Sequence, residues 1–373
     1  MSEFSDKVHD IVNADFAKDN DYVEHLDYIR NNRDCWDDVD VAADLGRMLA
    51  YYFEANRRLA VDGHQPEEAD KLEETYRQYE HRLTSQNKVD MLQSLSMIVL
   101  QNIEDGVEAV EAGYAKAKDY VKEIYYISVD EIYRDLTDGV LTAFSFRPFS
   151  KYALKDVCLN EIMLCNPDRF NDPFDTVFPH WIDYTLSRLK DRQPSAYRHQ
   201  RIMKDTFQSV RARSLVLASK GNVRKLPKLM WAHYADEHKG FCIKYKIDKN
   251  FFFSHQNDKS VMVGFKMNYI NDDFRFDKNI RLSKALMSKC NIWKYEKEFR
   301  ILMFNPEFKA DFISWPLNEY FKMTDIYLGL RCQEDDQRLM ESLLQDTPIK
   351  LHKMKEKLPY AYRQDCDFVS KKK

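Results

Sequence analysis

From residue 41 to residue 60 the chain reads VAADLGRMLAYYFEANRRLA, and its apolar residues recur every three to four positions. Val41, Leu45, Met48, Leu49, Tyr52 and Phe53 fall on one stripe of a helix, which predicts an amphipathic element with that stripe inward. GHQPEEADKLEETYRQYEHRL (63–83) restarts the period. Pro66 suits the first turn of that helix, and Glu67 and Glu68 suit the positive end of its dipole. Residues 85–127 supply two more helices, broken near Gly106 or Gly113. The lengths are those of a short tetratricopeptide-like array, but no repeat of about 34 residues can be aligned.

From LTAFSFRPFSKY (141–152) onward the period changes from three and a half to two. FSFRPF alternates, and Arg147 precedes a proline, so it is expected to be extended. NEIMLCNPDRFNDPFD (160–175) predicts a short strand and then a turn-rich loop. Asn171–Asp172–Pro173 is turn chemistry, and Asn171, Asp172 and Asp175 there contact a substrate or ion or merely form Asx turns on their own backbone. Residues 180–212 read as an exposed basic helical stretch interrupted at Pro194. RSLVLASKG is a buried-type strand ending at Ser219. LPKLMWAHYADEHKG (226–240) is a helix closed by Gly240, and FCIKYKI (241–247) is the next alternating strand. VMVGFKMNYI (261–270) is another strand and LSKALMSKC (282–290) a helix. TDIYLGL, a helix from Glu334 to Leu344, and IKLHKMK complete the pattern.

WKYEKEFRIL (293–302) is read as a strand. Trp293, Tyr295, Phe299 and Ile301 would share one face, and Lys294, Glu296, Glu298 and Arg300 the other. Two glutamates side by side are either a solvated ion-pair ladder or paired carboxylates for acid–base and electrostatic chemistry.

Charge sharpens the division. Residues 1–140 carry 15 Lys and Arg against 32 Asp and Glu, a net of −17, whereas 141–373 carry 42 against 29, a net of +13. Only Pro66 of the eleven prolines precedes residue 148. The expected organisation is α+β: an acidic all-helical domain at 1–138 and a basic, mixed β-rich domain at 139–373. Seven scattered cysteines without CxxC disfavour zinc and disulfide frameworks, and no metal is expected. His233 and His238 are five apart and share no helical face. No run approaches membrane-spanning length, no secretion signal is visible, and a cytoplasmic setting is expected.

The strings LMWAHYADEHKGFCIKY, with Trp231 and His233, and WKYEKEFRI closely resemble a bacterial family, the domain-of-unknown-function 2971 family, over roughly residues 144–362. The order of elements also resembles the ADP-ribosyltransferase fold of the arginine–serine–glutamate type. That resemblance implies a split sheet and NAD as substrate. Arg147 would hold the NAD phosphates and Ser219 would orient the nicotinamide ribose. Glu298 would stabilise the oxocarbenium-like charge, and Glu296 would deprotonate an acceptor. Tyr234 and Phe241 are candidates for stacking on nicotinamide, and Lys294 and Arg300 would keep both glutamates ionised. The missing Ser-Thr-Ser triplet and Pro148 depart from the pattern.

The expectation is an NAD-consuming enzyme, an ADP-ribosyltransferase or NAD glycohydrolase of toxin or phage-defence type, with a protein or nucleic-acid acceptor. The helical domain would bind a protein partner or the basic domain in cis. The alternatives are a nucleic-acid-binding or nuclease module on the basic half, and a non-catalytic interaction protein in which these charges are buried ion pairs.

Overall fold

The computed structural model describes residues 3–13, 21–39, 42–61, 64–101, 107–136, 138–172, 175, 201, 204, 207–218, 221–254, 260–271, 286–305, 307–357 and 364–369. They fall into two compact units, one built mainly on Met1–Glu131 and the other on the chain from Ile132 onward.

The first unit is helical: α1 (Glu3–Asn13), α2 (Tyr22–Asn31), α3 (Ala42–Val61), α4 (Ala69–Tyr79), α5 (Ser85–Gln101) and α6 (Val107–Tyr133). The stripe on α3 is its core, with Leu45, Met48, Leu49, Tyr52 and Phe53 fully buried. Of the two glycines near which a break is expected, Gly106 lies outside the described residues and Gly113 lies inside α6. Pro66, Glu67 and Glu68 lie ahead of α4 rather than in its first turn. Tertiary bonds account for the difference. Asn56 of α3 accepts from the Glu67 backbone N–H at 2.9 Å, and Arg33 grips the Glu67 carboxylate at 2.5 and 2.6 Å. A segment pinned in that way cannot wind into the helix. No described helix is long and apolar enough to cross a membrane.

The second unit is a mixed, mostly antiparallel sheet. Its strands are β1 (Val140–Arg147), β2 (Glu161–Cys165), β3 (Val210–Leu217), β4 (Phe241–Asp248), β5 (Val261–Lys266), β8 (Glu298–Phe304), β9 (Phe312–Pro316), β10 (Phe321–Leu328), β11 (Lys350–Glu356) and β12 (Gln364–Phe368). β6 (Asn268–Ile270) and β7 (Ser288–Cys290) form a small parallel pair beside it. Residues 288–290, expected to close a helix, are therefore strand, because their backbone pairs with 268–270.

The sheet forks at β3. One edge of β3 pairs with β8 from Val210↔Phe304 to Val216↔Glu298. The other edge is shared, by β1 at Phe144↔Val216 and by β2 at Cys165↔Ala212. Between them the chain turns through α7 (Lys151–Leu159), capped by Ser150. Helix α8 (Lys228–Tyr234) covers one face, where Phe144, Phe146, Val216, Met230, Trp231, Cys242 and Tyr327 make a core.

Gly240 does not cap a long helix. α8 stops at Tyr234, and Asp236, Glu237 and His238 follow with φ of 45, 52 and 71°. This left-handed turn is locked by its neighbours, with Gly240 N–H donating to Ala235 O at 2.8 Å and Arg331 N–H to His238 O at 2.9 Å. Gly240 is needed for close approach, since a Cβ there would stand 2.2 Å from the Arg147 carbonyl oxygen. Gly240→Ala is expected to lower stability by about 1–3 kcal/mol or more. Urea unfolding of the variant tests this, and an unchanged midpoint would show that β1 can move aside.

Candidate functional site

The stretch carrying the two glutamates is not one strand. Asn291–Glu296 is a 3₁₀ helix, Lys297 takes a left-handed conformation (φ 47°), and β8 begins only at Glu298. Lys297 is fixed there because its carbonyl accepts from Leu217 N–H at 3.0 Å. The expected common strand face for Lys294, Glu296, Glu298 and Arg300 is thus corrected. The left-handed residue folds Glu296 back toward Glu298 instead of spacing it along a strand.

What the two carboxylates meet is Lys289, on β7. Its ammonium donates to Glu296 Oε2 at 2.7 Å and Glu298 Oε2 at 3.1 Å, and lies 3.1 Å from Asp175 Oδ2. An ammonium has three hydrogens to give, and each has an acceptor. Arg300, two residues along β8 from Glu298, donates through Nε to Glu298 Oε1 at 2.7 Å and through Nη2 to Asp175 Oδ1 at 2.7 Å. Its remaining arm reaches the Leu286 carbonyl at 3.1 Å, and Phe170 lies under its plane at 4.7 Å. Ser214 donates to Glu298 Oε1 at 2.5 Å, and Tyr234 donates to Glu296 Oε1 at 2.6 Å. Asp175, Lys289, Glu296, Glu298 and Arg300 are each no more than 5% exposed.

Buried charge must be compensated locally. Here three carboxylates face two cations, so full ionisation leaves one negative charge in excess. The two glutamates respond differently. Burial alone would raise the Glu298 carboxyl, but Arg300 and Lys289 beside it, with Ser214, hold it down at about 2. Glu296 is pushed above the ordinary carboxylate range by burial, with the Glu298 charge adding to the rise and Lys289 and Tyr234 only partly offsetting it. Burial raises Tyr269, whose hydroxyl accepts from the Glu298 backbone N–H at 2.8 Å, to about 12.

Residues 230–301, which carry Trp231, Tyr234, Lys289, Glu296, Glu298 and Arg300, match a family model described as "Protein of unknown function (DUF2971)". Comparisons with curated proteins and with solved structures found no match.

The other expected site residues separate into two groups. Asn171 is exposed and stands beside the Tyr234 phenol, at the rim of the cluster. Asp172 forms a turn, its carbonyl accepting from Asp175 N–H at 3.1 Å, and so delivers Asp175 to the two cations. Arg147 is not brought to the glutamates. Glu298 lies opposite Val216, which is opposite Phe144, whereas Arg147 is one step out of phase with Phe144 and Phe146 and projects from the other face of the sheet. There it lies 3.4 Å from Asp156, and burial, with Arg213 nearby, lowers its guanidinium to about 10. Phe241 shares that far face, fully buried against Phe149 at 5.0 Å. Trp231 is core, set edge-on to Phe146 at 5.0 Å, and His233 is exposed. Ser219 and most of the basic stretch at 180–212 lie outside the described residues. Sequence reading missed Ser214 and Lys289; Ser214 is an inward position of β3 by alternation, while nothing in the local pattern singles out Lys289. Among the described residues no group of three or more His, Cys, Asp and Glu is disposed to hold a metal ion.

Removing Lys289 leaves three acids without their common partner, so Lys289→Met is expected to destabilise by about 3–5 kcal/mol. Because Glu298 is depressed when folded, the stability it contributes is present above about pH 4.5 and is lost as pH falls toward about 2. Urea unfolding at stepped pH should therefore show the wild-type advantage over Glu298→Gln shrinking by about 3 kcal/mol between pH 5 and pH 2. An advantage that stays constant across that range would contradict the depressed carboxyl.

Proposed function

We propose that the β-rich half is an NAD-consuming enzyme, an ADP-ribosyltransferase or NAD glycohydrolase in reaction class, with Glu298 and Glu296 as its working carboxylates. The observation that carries this reading is that the pair is close yet pushed apart in protonation. One oxygen of each touches the same ammonium, at 2.7 and 3.1 Å. Those oxygens can be no farther apart than about 5.8 Å, the sum of the two distances. Paired carboxylates at about 5–5.5 Å can act on one anomeric centre, and unequal environments assign their roles.

In this reading the C1′–N bond of the nicotinamide riboside breaks, nicotinamide leaves with the bonding pair, and positive charge builds on the ribose. Glu298, held ionised, stabilises that charge in a site from which water is largely excluded. The nucleophile's oxygen bonds to C1′ and its proton passes to Glu296, whose raised affinity for protons suits the role of base. Arg147 and Phe241, on the far face, have no part in this centre. Ser214 supplies a hydroxyl beside the Glu298 carboxylate. An enzyme that drains NAD suits a toxin or phage-defence effector, and the acidic helical half would restrain or direct it.

A second reading is favoured by one fact, the near-complete burial and mutual pairing of all five charged groups. It makes the chain a non-catalytic interaction protein and the cluster a structural tie. Incubating the full chain with NAD and following nicotinamide release separates the two. The enzyme reading predicts release by the wild type, a fall of about 10²–10⁴-fold in Glu296→Gln, and loss in Glu298→Gln, with circular dichroism confirming that each variant is folded. No release by the wild type, or equal release by folded Glu298→Gln, would leave the structural tie standing.

A further inference from the structure

Glu296 has a second donor besides Lys289, and that donor comes from a different element of the DUF2971 segment. Tyr234 ends α8, its hydroxyl 2.6 Å from Glu296 Oε1, while Lys289 holds Oε2. Both oxygens of Glu296 are thereby occupied, each by one donor. The two donors differ in kind. Lys289 is shared with Glu298 and Asp175, so it cannot be tuned for Glu296 alone. The phenol gives its single proton to Glu296, while the Asn171 side chain hydrogen-bonds to the phenol. It is also the less enclosed of the two, being half-buried, with the exposed Asn171 beside it.

From this placement we infer that Tyr234 is a positioning residue that sets when Glu296 gains and loses its proton, rather than a platform for a nicotinamide ring. The assignment rests on the role proposed above for Glu296 as base, but its physical content is independent of NAD. The groups that face Glu296 are Tyr234 from α8, Lys289 from β7, Glu298 from β8, Tyr269 from β6 and Tyr295 on its own 3₁₀ turn. Among them Glu298 opposes ionisation of Glu296, and Lys289 and Tyr234 favour it. Burial and the Glu296 charge keep the Tyr234 phenol protonated well above the ordinary tyrosine range, so it remains a donor at every pH at which Glu296 titrates. A donor that bonds the charged form of a carboxyl lowers its pKa. Removing it must therefore move the titration of Glu296 upward.

Tyr234→Phe deletes one oxygen and keeps the ring in place. A charge-assisted hydrogen bond of ordinary strength corresponds to a rise of about one to two pH units in the Glu296 midpoint. pH-difference infrared spectroscopy of the full chain reads this directly. A protonated buried carboxyl gives its own carbonyl band, and the band absent from Glu296→Gln identifies it. The midpoint of that band is expected to rise in Tyr234→Phe, and the acid limb of the pH–rate profile for nicotinamide release should rise with it. A second measurement uses unfolding: the destabilisation caused by Tyr234→Phe should be larger above the Glu296 midpoint than below it. A midpoint that does not move, with a destabilisation independent of pH, would reduce Tyr234 to packing and overturn the inference. If NAD is not consumed at all, the infrared midpoint still decides the matter, so failure of the enzyme reading and failure of this one are told apart.

Discussion

The ammonium of Lys289, enclosed to 5% exposure and touching three carboxylates, is the contact on which the β-rich half depends. An isolated charge in such a place is prohibitively costly, and so are Glu296, Glu298 and Asp175 without it. Each of these groups is tolerable only because the others are present. The constraint reaches far along the chain. It ties the loop after β2, which brings Phe170 and Asp175, to β7, to the 3₁₀ turn and to β8, elements that span more than a hundred residues of sequence. Arg300 completes the tie by joining Asp175 to Glu298 from the other side.

The same arrangement contains an imbalance. Two cations do not neutralise three acids, and the excess falls on the group with the weakest cationic support. Glu298 has Arg300, Lys289 and Ser214, whereas Glu296 has Lys289 and a neutral phenol. Structure and chemistry meet at this point. A network built only to hold the fold gains nothing from a carboxyl left ready to bind a proton, whereas a site that moves protons needs one. Alternation along β1 matters for a complementary reason, since it sends Arg147 to the opposite face, where Asp156 meets it.

Much of the architecture was legible because period dictates face. The inward stripe of α3 followed from 3.6-residue spacing, and β1 and β4 from alternation. The family resemblance was legible in the strings around Trp231 and Glu298, and it holds over residues 230–301. What failed to show did so for identifiable causes. WKYEKEFRIL keeps a period of two across Lys297, but one left-handed residue there resets the chain direction, and local pattern does not report φ. Gly240 sits where a helix cap is expected, yet its necessity comes from the Arg147 carbonyl almost a hundred residues away. Glu67 looked like a helix-dipole partner until Arg33 claimed it. Lys289 and Ser214 were invisible for the same reason: their partners are distant in sequence, and a lone lysine or serine carries no sign of what will surround it.

The buried charges form one interdependent unit. A double-mutant cycle between Lys289 and Glu296, using Lys289→Met, Glu296→Gln and the pair, measures this by urea unfolding at neutral pH. An interdependent unit predicts that the double variant is less damaged than the sum of the singles, with a coupling of about 1–3 kcal/mol. Additive losses would show that the two side chains are neighbours without being partners, and would contradict the account.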